Sequence, residues 1–182
     1  SLPYQYHFEI IFVDDGSTDR SLANIRELKT RQKNVRHIEL SRNFGKEAAT
    51  TAGIHASVGD AVICIDADLQ HPPEIIPSFI DEWERGAEIV IGIRRESKSD
   101  MWFRRIGSAV FYRIMNMISE TTIVPHETDF RLIDRIVVKE FNRLTEHNRM
   151  TRGLIDWLGF KRQYVHFDAR ARKRGTPSYS TF

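Results

Sequence analysis

The sequence predicts an α/β domain built on a mostly parallel sheet flanked by helices, and three observations predict it. Short apolar, β-branched runs recur along the first half, near 8–13, 35–40, 61–65 and 88–92. Stretches that read as helices separate them, near 21–31, 46–57 and 73–84. Such alternation favours parallel strands, because each parallel connection needs a long crossover. The first and third runs also end in carboxylates, at Asp14-Asp15 and at Asp66-Ala67-Asp68. The carboxyl ends of strands are where open α/β sheets bind ligands, so the two acidic ends are expected to build one cleft.

The first run, Ile10-Ile11-Phe12-Val13, leads into Asp14-Asp15-Gly16-Ser17-Thr18-Asp19. Gly16 permits a tight turn, and Ser17, Thr18 or Asp19 can cap the next helix. Capping leaves Asp14 and Asp15 unexplained, and they call for a donor such as a base or a ribose hydroxyl. The third run, Ile63-Cys64-Ile65, reaches two carboxylates two residues apart, which an extended backbone points to one side. Hard oxygen ligands of this kind suit Mg²⁺ or Mn²⁺, ions that keep coordination positions for water and substrate phosphates. The alternative is a solvated turn or helix cap, where Asp-x-Asp is common. The second half reads as more helical, near 101–119, 136–144 and 150–158, with a closing strand near 164–168.

With 182 residues and 41% apolar content the chain can bury a full core as one domain, 1–182. It has no Pro/Gly/Ser linker, internal repeat or low-complexity tract. The formal net charge is only +2, and the basic clusters of the second half carry no nucleic-acid motif, so a nucleic-acid partner is not expected. The single cysteine, Cys64, lies in an apolar strand and reads as core packing, which suits a reducing compartment. No apolar run is long enough to span a bilayer, and the start does not read as a signal peptide. A phospho-accepting receiver domain would also use an acidic pair like Asp14-Asp15, with Asp66 as acceptor. Arg94 stands where that fold wants a lysine, and the helical second half has no place in it.

Four ordered motifs carry a resemblance. Val13-Asp14-Asp15-Gly16-Ser17-Thr18-Asp19, Leu40-Ser41-Arg42-Asn43-Phe44-Gly45-Lys46-Glu47, Asp66-Ala67-Asp68-Leu69-Gln70-His71-Pro72-Pro73-Glu74 and Asp129-Phe130-Arg131-Leu132 resemble those of family-2 inverting glycosyltransferases. More narrowly, they resemble the branch of dolichyl-phosphate mannose synthase and the bacterial undecaprenyl-phosphate glycosyltransferases. The resemblance runs from Glu9 to about Tyr179. It implies a GT-A, Rossmann-like fold with a nucleotide-sugar half at 1–92 and an acceptor, membrane-facing half at 93–182. It implies transfer of a hexose, with inversion, from a UDP- or GDP-linked sugar to a polyprenyl phosphate at the cytoplasmic face of the cell membrane. Asp68 would hold Mg²⁺ or Mn²⁺, with Asp66 close to the ribose or the metal, and Gln70 would bond the diphosphate or orient a ligand. Asp14, Asp15 and Lys46 would complete the donor site. The tail Arg170–Tyr179 resembles the family's closing loop, with Pro177 and Ser178 in place of its usual Ser and Lys, and Arg174 would close over the diphosphate. A transferase acting on a hydroxyl of a cell-surface glycan and a non-catalytic nucleotide-sugar binding module are the alternatives; a homo-oligomer is left open.

Two departures stand out. Family members usually begin with a strand and a Pro-x-Tyr-Asn-Glu-like turn, whereas Ser1-Leu2-Pro3-Tyr4 here precedes what would be the next strand. The chain is therefore expected to be a piece of a longer protein without its first strand, and many relatives continue into membrane-spanning helices past this end. Thr128 also stands where the family has Gly before the Asp129 motif.

For the acceptor, arginines are the informative residues. Arg94 ends a strand run, Arg104 and Ser108 lie one helical turn apart, and Arg131 could complete a phosphate cradle. A phosphate monoester is already anionic near neutral pH and needs no strong base; a hydroxyl acceptor would need one, and Asp129 is the candidate. Each arginine read alone could be a solvated surface charge. The apolar, aromatic, arginine-bearing run at 101–118 fits either a helix in a membrane interface or a core helix.

Overall fold

A computed structural model describes residues 6–95, 127–145 and 151–168. The element order is β1 (Ile10–Asp14), α1 (Ser21–Arg31), β2 (Val35–Glu39), α2 (Lys46–Ala56), β3 (Ala61–Cys64), a 3₁₀ turn (Pro73–Ile75), α3 (Ile76–Glu84), β4 (Ile89–Arg94), β5 (Glu127–Asp134), α4 (Arg135–Arg143), α5 (Thr151–Trp157) and β6 (Arg162–Phe167). The expected alternation is present, and α1 supplies the crossover that lets β1 and β2 run parallel, Ile10 opposite Val35 through Asp14 opposite Glu39. The strands fall into two sheets rather than one. β1 and β2 form a two-stranded sheet, and the order in the other is β3-β5-β4-β6. β5 was not expected as a strand, although its polar Glu127, Asp129 and Arg131 alternate with Thr128, Phe130 and Leu132 in the period of two that marks one.

The chain forms two compact units, each assembled from two stretches. The first comprises Ser1–Val62 and Ile133–Phe160. In it α2 packs on β1, α1 on β2, and α4 and α5 on α2. Its buried side chains include Val35, Ile54, Val137, Val138, Phe141 and Ile155. Asp134 caps α4 by accepting from Ile136 N at 2.8 Å. The next residue, Arg135, closes the far end of α2: Nη1 donates to Ser57 O at 3.1 Å, and Nε to Gly59 O at 2.6 Å. One guanidinium therefore satisfies the C-cap carbonyl of α2 and a carbonyl of the turn that follows. Glu9 ties the same region to β2, accepting from Val58 N at 2.8 Å and from Arg36 at 2.6 Å.

The second unit comprises Ile63–Leu132 and Lys161–Phe182. β4 pairs in parallel with β6, Ile89 opposite Arg162 through Arg94 opposite Phe167, and α3 packs against both. β4 is buried from Ile89 to Ile93, the continuous apolar run of a strand covered on both faces. Phe79, Phe130 and Phe167 meet beside it, with ring centroids 4.7 Å apart for Phe79–Phe130 and 5.9 Å for Phe130–Phe167. Gly92 makes room for them: a Cβ there would lie 3.0 Å from Phe130 O and 3.0 Å from the Phe167 ring. Thr128 Oγ1 donates to Gly92 O at 2.8 Å and accepts from Phe130 N at 3.3 Å, so the threonine that replaces the family's glycine fastens β5 to β4.

Candidate functional site

The first unit presents Asp14 and Asp15 at the carboxyl end of β1. Asp14 is buried, and its Oδ2 accepts from Ser17 N at 3.1 Å. Asp15 Oδ1 accepts from Phe44 N at 2.7 Å, and its Oδ2 from Gly45 N at 2.9 Å. The chain thus folds its own backbone N–H groups onto both carboxylates. The consequence is a defined loop before α2. Gly16 turns with φ 70° directly beneath that loop, where a Cβ would stand 2.6 Å from both Arg42 C and Asn43 N. Only glycine meets both demands. Gly45 then enters α2 with φ 97°, and Lys46 is its first residue. The Arg42 guanidinium lies 4.3 Å over the exposed Phe44 ring. The N-cap of α1 is Arg20, with no side-chain capping bond, rather than Ser17, Thr18 or Asp19. Asp19 stands one residue before it: Ser21 N donates to its Oδ1 at 2.9 Å, and hydrogen bonds from the Ser21 hydroxyl and N–H hold its carboxyl below the ordinary range.

The second unit carries Asp66 and Asp68 on the turn after β3. Leu69 sits there with φ 65°, a left-handed conformation uncommon for a residue with a branched side chain. Gln70 N donates to Asp68 Oδ1 at 3.0 Å, closing the turn around that carboxylate. Asp66 N donates to His71 Nδ1 at 3.3 Å, and Asp66 Oδ2 lies 3.9 Å from the same nitrogen. His71 is buried; its ring stacks on Phe130 with centroids 5.1 Å apart and meets Phe167 edge-on at 5.9 Å. The sequence reading assigned His71 no role. Its place directly before Pro72-Pro73, in a turn that must be held rigid, is the signal that was available.

No group of three or more His, Cys, Asp or Glu side chains is gathered for a metal among the described residues. Two hard carboxylates on one turn nonetheless fit an ion that takes its remaining positions from water and phosphate oxygens, as Mg²⁺ and Mn²⁺ do. Of the acceptor candidates, Arg94 is exposed at the end of β4, Asp129 is half-buried on β5, and Arg131 is 3% exposed. Arg131 Nη2 lies 3.5 Å from Thr128 O. Its burial excludes the solvated-surface reading for this arginine, since a buried guanidinium has a function or a fixed partner to hold it there. Arg104, Ser108, Arg174 and the run 101–118 lie outside the described residues.

Residues 2–141 match the model of glycosyl transferase family 2. The chain belongs to that family. An uncharacterized glycosyltransferase of Synechocystis is 39% identical over 98% of the chain and 56% of its own length. The bactoprenol glucosyl transferase of Shigella phage SfX is 37% identical over 96% of the chain and 57% of its own length. The chain thus spans just over half the length of these curated relatives. Among solved structures, a mannosyltransferase of Pyrobaculum calidifontis in complex with GDP-Man and Mn²⁺ shares the fold at TM-score 0.60 and 17% identity, over 92% of this chain and 49% of that one. Glucosyl-3-phosphoglycerate synthase of Mycobacterium tuberculosis, in complex with Mn²⁺ and UDP-glucose among other ligands, does so at 0.51 and 20%, over 92% and 61%. Likeness at such identity is likeness of fold, here a GT-A-like one.

Proposed function

We propose that this family-2 domain transfers a hexose, with inversion, from a nucleotide-diphosphate sugar to a polyprenyl phosphate, using Mg²⁺ or Mn²⁺. The observation that carries the acceptor class is the identity of 37% to a bactoprenol glucosyl transferase over 96% of the chain. Mn²⁺ and a nucleotide sugar bound to two proteins of the same fold support the donor and the metal.

Asp68 and Asp66 would hold the ion. When bound it would supply Lewis-acid neutralisation of the charge that develops on the departing diphosphate. Gln70, beside Asp68, would orient the diphosphate. Asp14 and Asp15 would border the nucleoside through the turn and loop they organise, and Lys46, at the N-terminus of α2, would add positive charge where a helix already favours an anion. Arg94 and Arg131, together with Arg104 and Ser108, would receive the acceptor phosphate, and Arg174 would close over the donor. An oxygen of that phosphate, already anionic, would attack the anomeric carbon as the bond from that carbon to the diphosphate breaks. Asp129 would be spared a proton-abstracting role, which only a hydroxyl acceptor demands. A membrane surface at the cytoplasmic face would present the lipid.

The test is a transfer assay with UDP-glucose and GDP-mannose against undecaprenyl phosphate and against a neutral glycan. Product on the lipid phosphate, lost with EDTA and restored by Mn²⁺, is expected. Product only on the glycan would move Asp129 into the base role and refute the acceptor assignment.

A further inference from the structure

We infer that His71 is a positioning residue for the Asp66-Ala67-Asp68 turn, and that it couples this turn to the Asp129-Phe130-Arg131 motif; the inference rests on the metal-holding role proposed above for Asp66 and Asp68. The loop after β3 contains one left-handed residue, Leu69, and its carboxylates project from backbone outside any ladder. Such a turn holds its ligands in place only if something buried holds it. His71 is that group: it is 7% exposed, and its Nδ1 accepts the Asp66 N–H. An imidazole that accepts at Nδ1 carries its proton on Nε2, so the hydrogen bond also fixes the tautomer. The ring plane is set in turn by the stack on Phe130, with 19° between planes, and by the Phe167 edge. Phe130 lies between Asp129 and Arg131, so a single pair of rings spans from the acidic turn to β5. Displacement of β5 therefore reaches Asp66 through two contacts.

Two observables separate this role from simple core filling. Asparagine at position 71 returns an acceptor oxygen near the place of Nδ1. Glutamine places its amide near Nε2, and phenylalanine keeps the stacking ring but offers no acceptor. Amide hydrogen exchange at Asp66 should quicken in His71→Phe and His71→Gln and stay near the native rate in His71→Asn. Affinity for UDP or GDP in the presence of Mn²⁺ should fall about tenfold or more in the first two and recover in the third, the usual scale for groups that orient a metal ligand. Nucleotide binding without metal should stay within about twofold in all three, because the groups that touch the nucleotide are unchanged. Thermal melting of each variant identifies loss of fold. Equal loss in all three variants, or no loss in any, overturns the inference while the metal role stands. Native protein that binds neither nucleotide more tightly with Mn²⁺ overturns the metal role and this inference with it.

Discussion

Asp15 shows how a carboxylate just past the end of a strand can organise the chain's own backbone. Both of its oxygens are committed to N–H groups at the start of α2, so Asp15→Asn, which turns one acceptor into a donor, should release the 42–46 loop. The exposed Phe44 N–H can turn to water, but the part-buried Gly45 N–H left unpaired would cost about 1–3 kcal/mol. Urea denaturation should show a loss of that order, with faster amide exchange at Phe44 and Gly45; unchanged exchange there would refute the clasp. Asp68 is the complementary case. Asp68→Asn keeps an acceptor for Gln70 N but removes the charge, so stability should hold to within about 0.5 kcal/mol, as substitutions away from the core usually do, while Mn²⁺-dependent nucleotide affinity disappears. Retained Mn²⁺ dependence would sink the metal assignment. The motifs that contain these residues were legible in the sequence because each is local. Their hydrogen-bond partners were not: Phe44 lies 29 positions from Asp15, and no local pattern announces that contact.

At the scale of elements, the predicted strands and helices that fall on described residues are present with their ends displaced by a few residues, the helix expected near 101–119 lies outside them, and β5 is the one strand missed among them. Its charges disguised it, although they alternate. What the sequence could not supply is pairing. Which strand lies beside which depends on crossovers and on long-range packing, and β4 meets β6 across about seventy residues of chain. Gly92 is the place where that packing is tightest. Gly92→Ala should cost roughly 1–3 kcal/mol, the range for overfilling a close-packed site, because both Phe130 O and the Phe167 ring must move. A urea midpoint equal to the native one would contradict the close approach. Glu9 adds a pH dependence to the first unit. Partial burial raises its pKa, but the Val58 N–H and the Arg36 guanidinium outweigh this and hold it below the ordinary 4.5. A depressed carboxyl stabilises the fold above its unfolded pKa and loses that contribution as pH falls through the folded one. Stability should therefore decline below pH 4.5, and Glu9→Gln should flatten that decline; identical pH profiles would rule Glu9 out as its source.

At the scale of the whole molecule, two compact units carry the two acidic clusters, one at the end of β1 and one after β3. Under the proposed function, the first would organise the nucleoside end of a donor and the second would hold a metal and its diphosphate. Among the described residues no helix is long and apolar enough to cross a membrane. The measurement that bears most directly on this account is calorimetric titration of UDP and of GDP into the protein, each with and without Mn²⁺. One of the two is expected to bind, and Mn²⁺ to tighten its binding. Binding of neither, or binding indifferent to the metal, would contradict it.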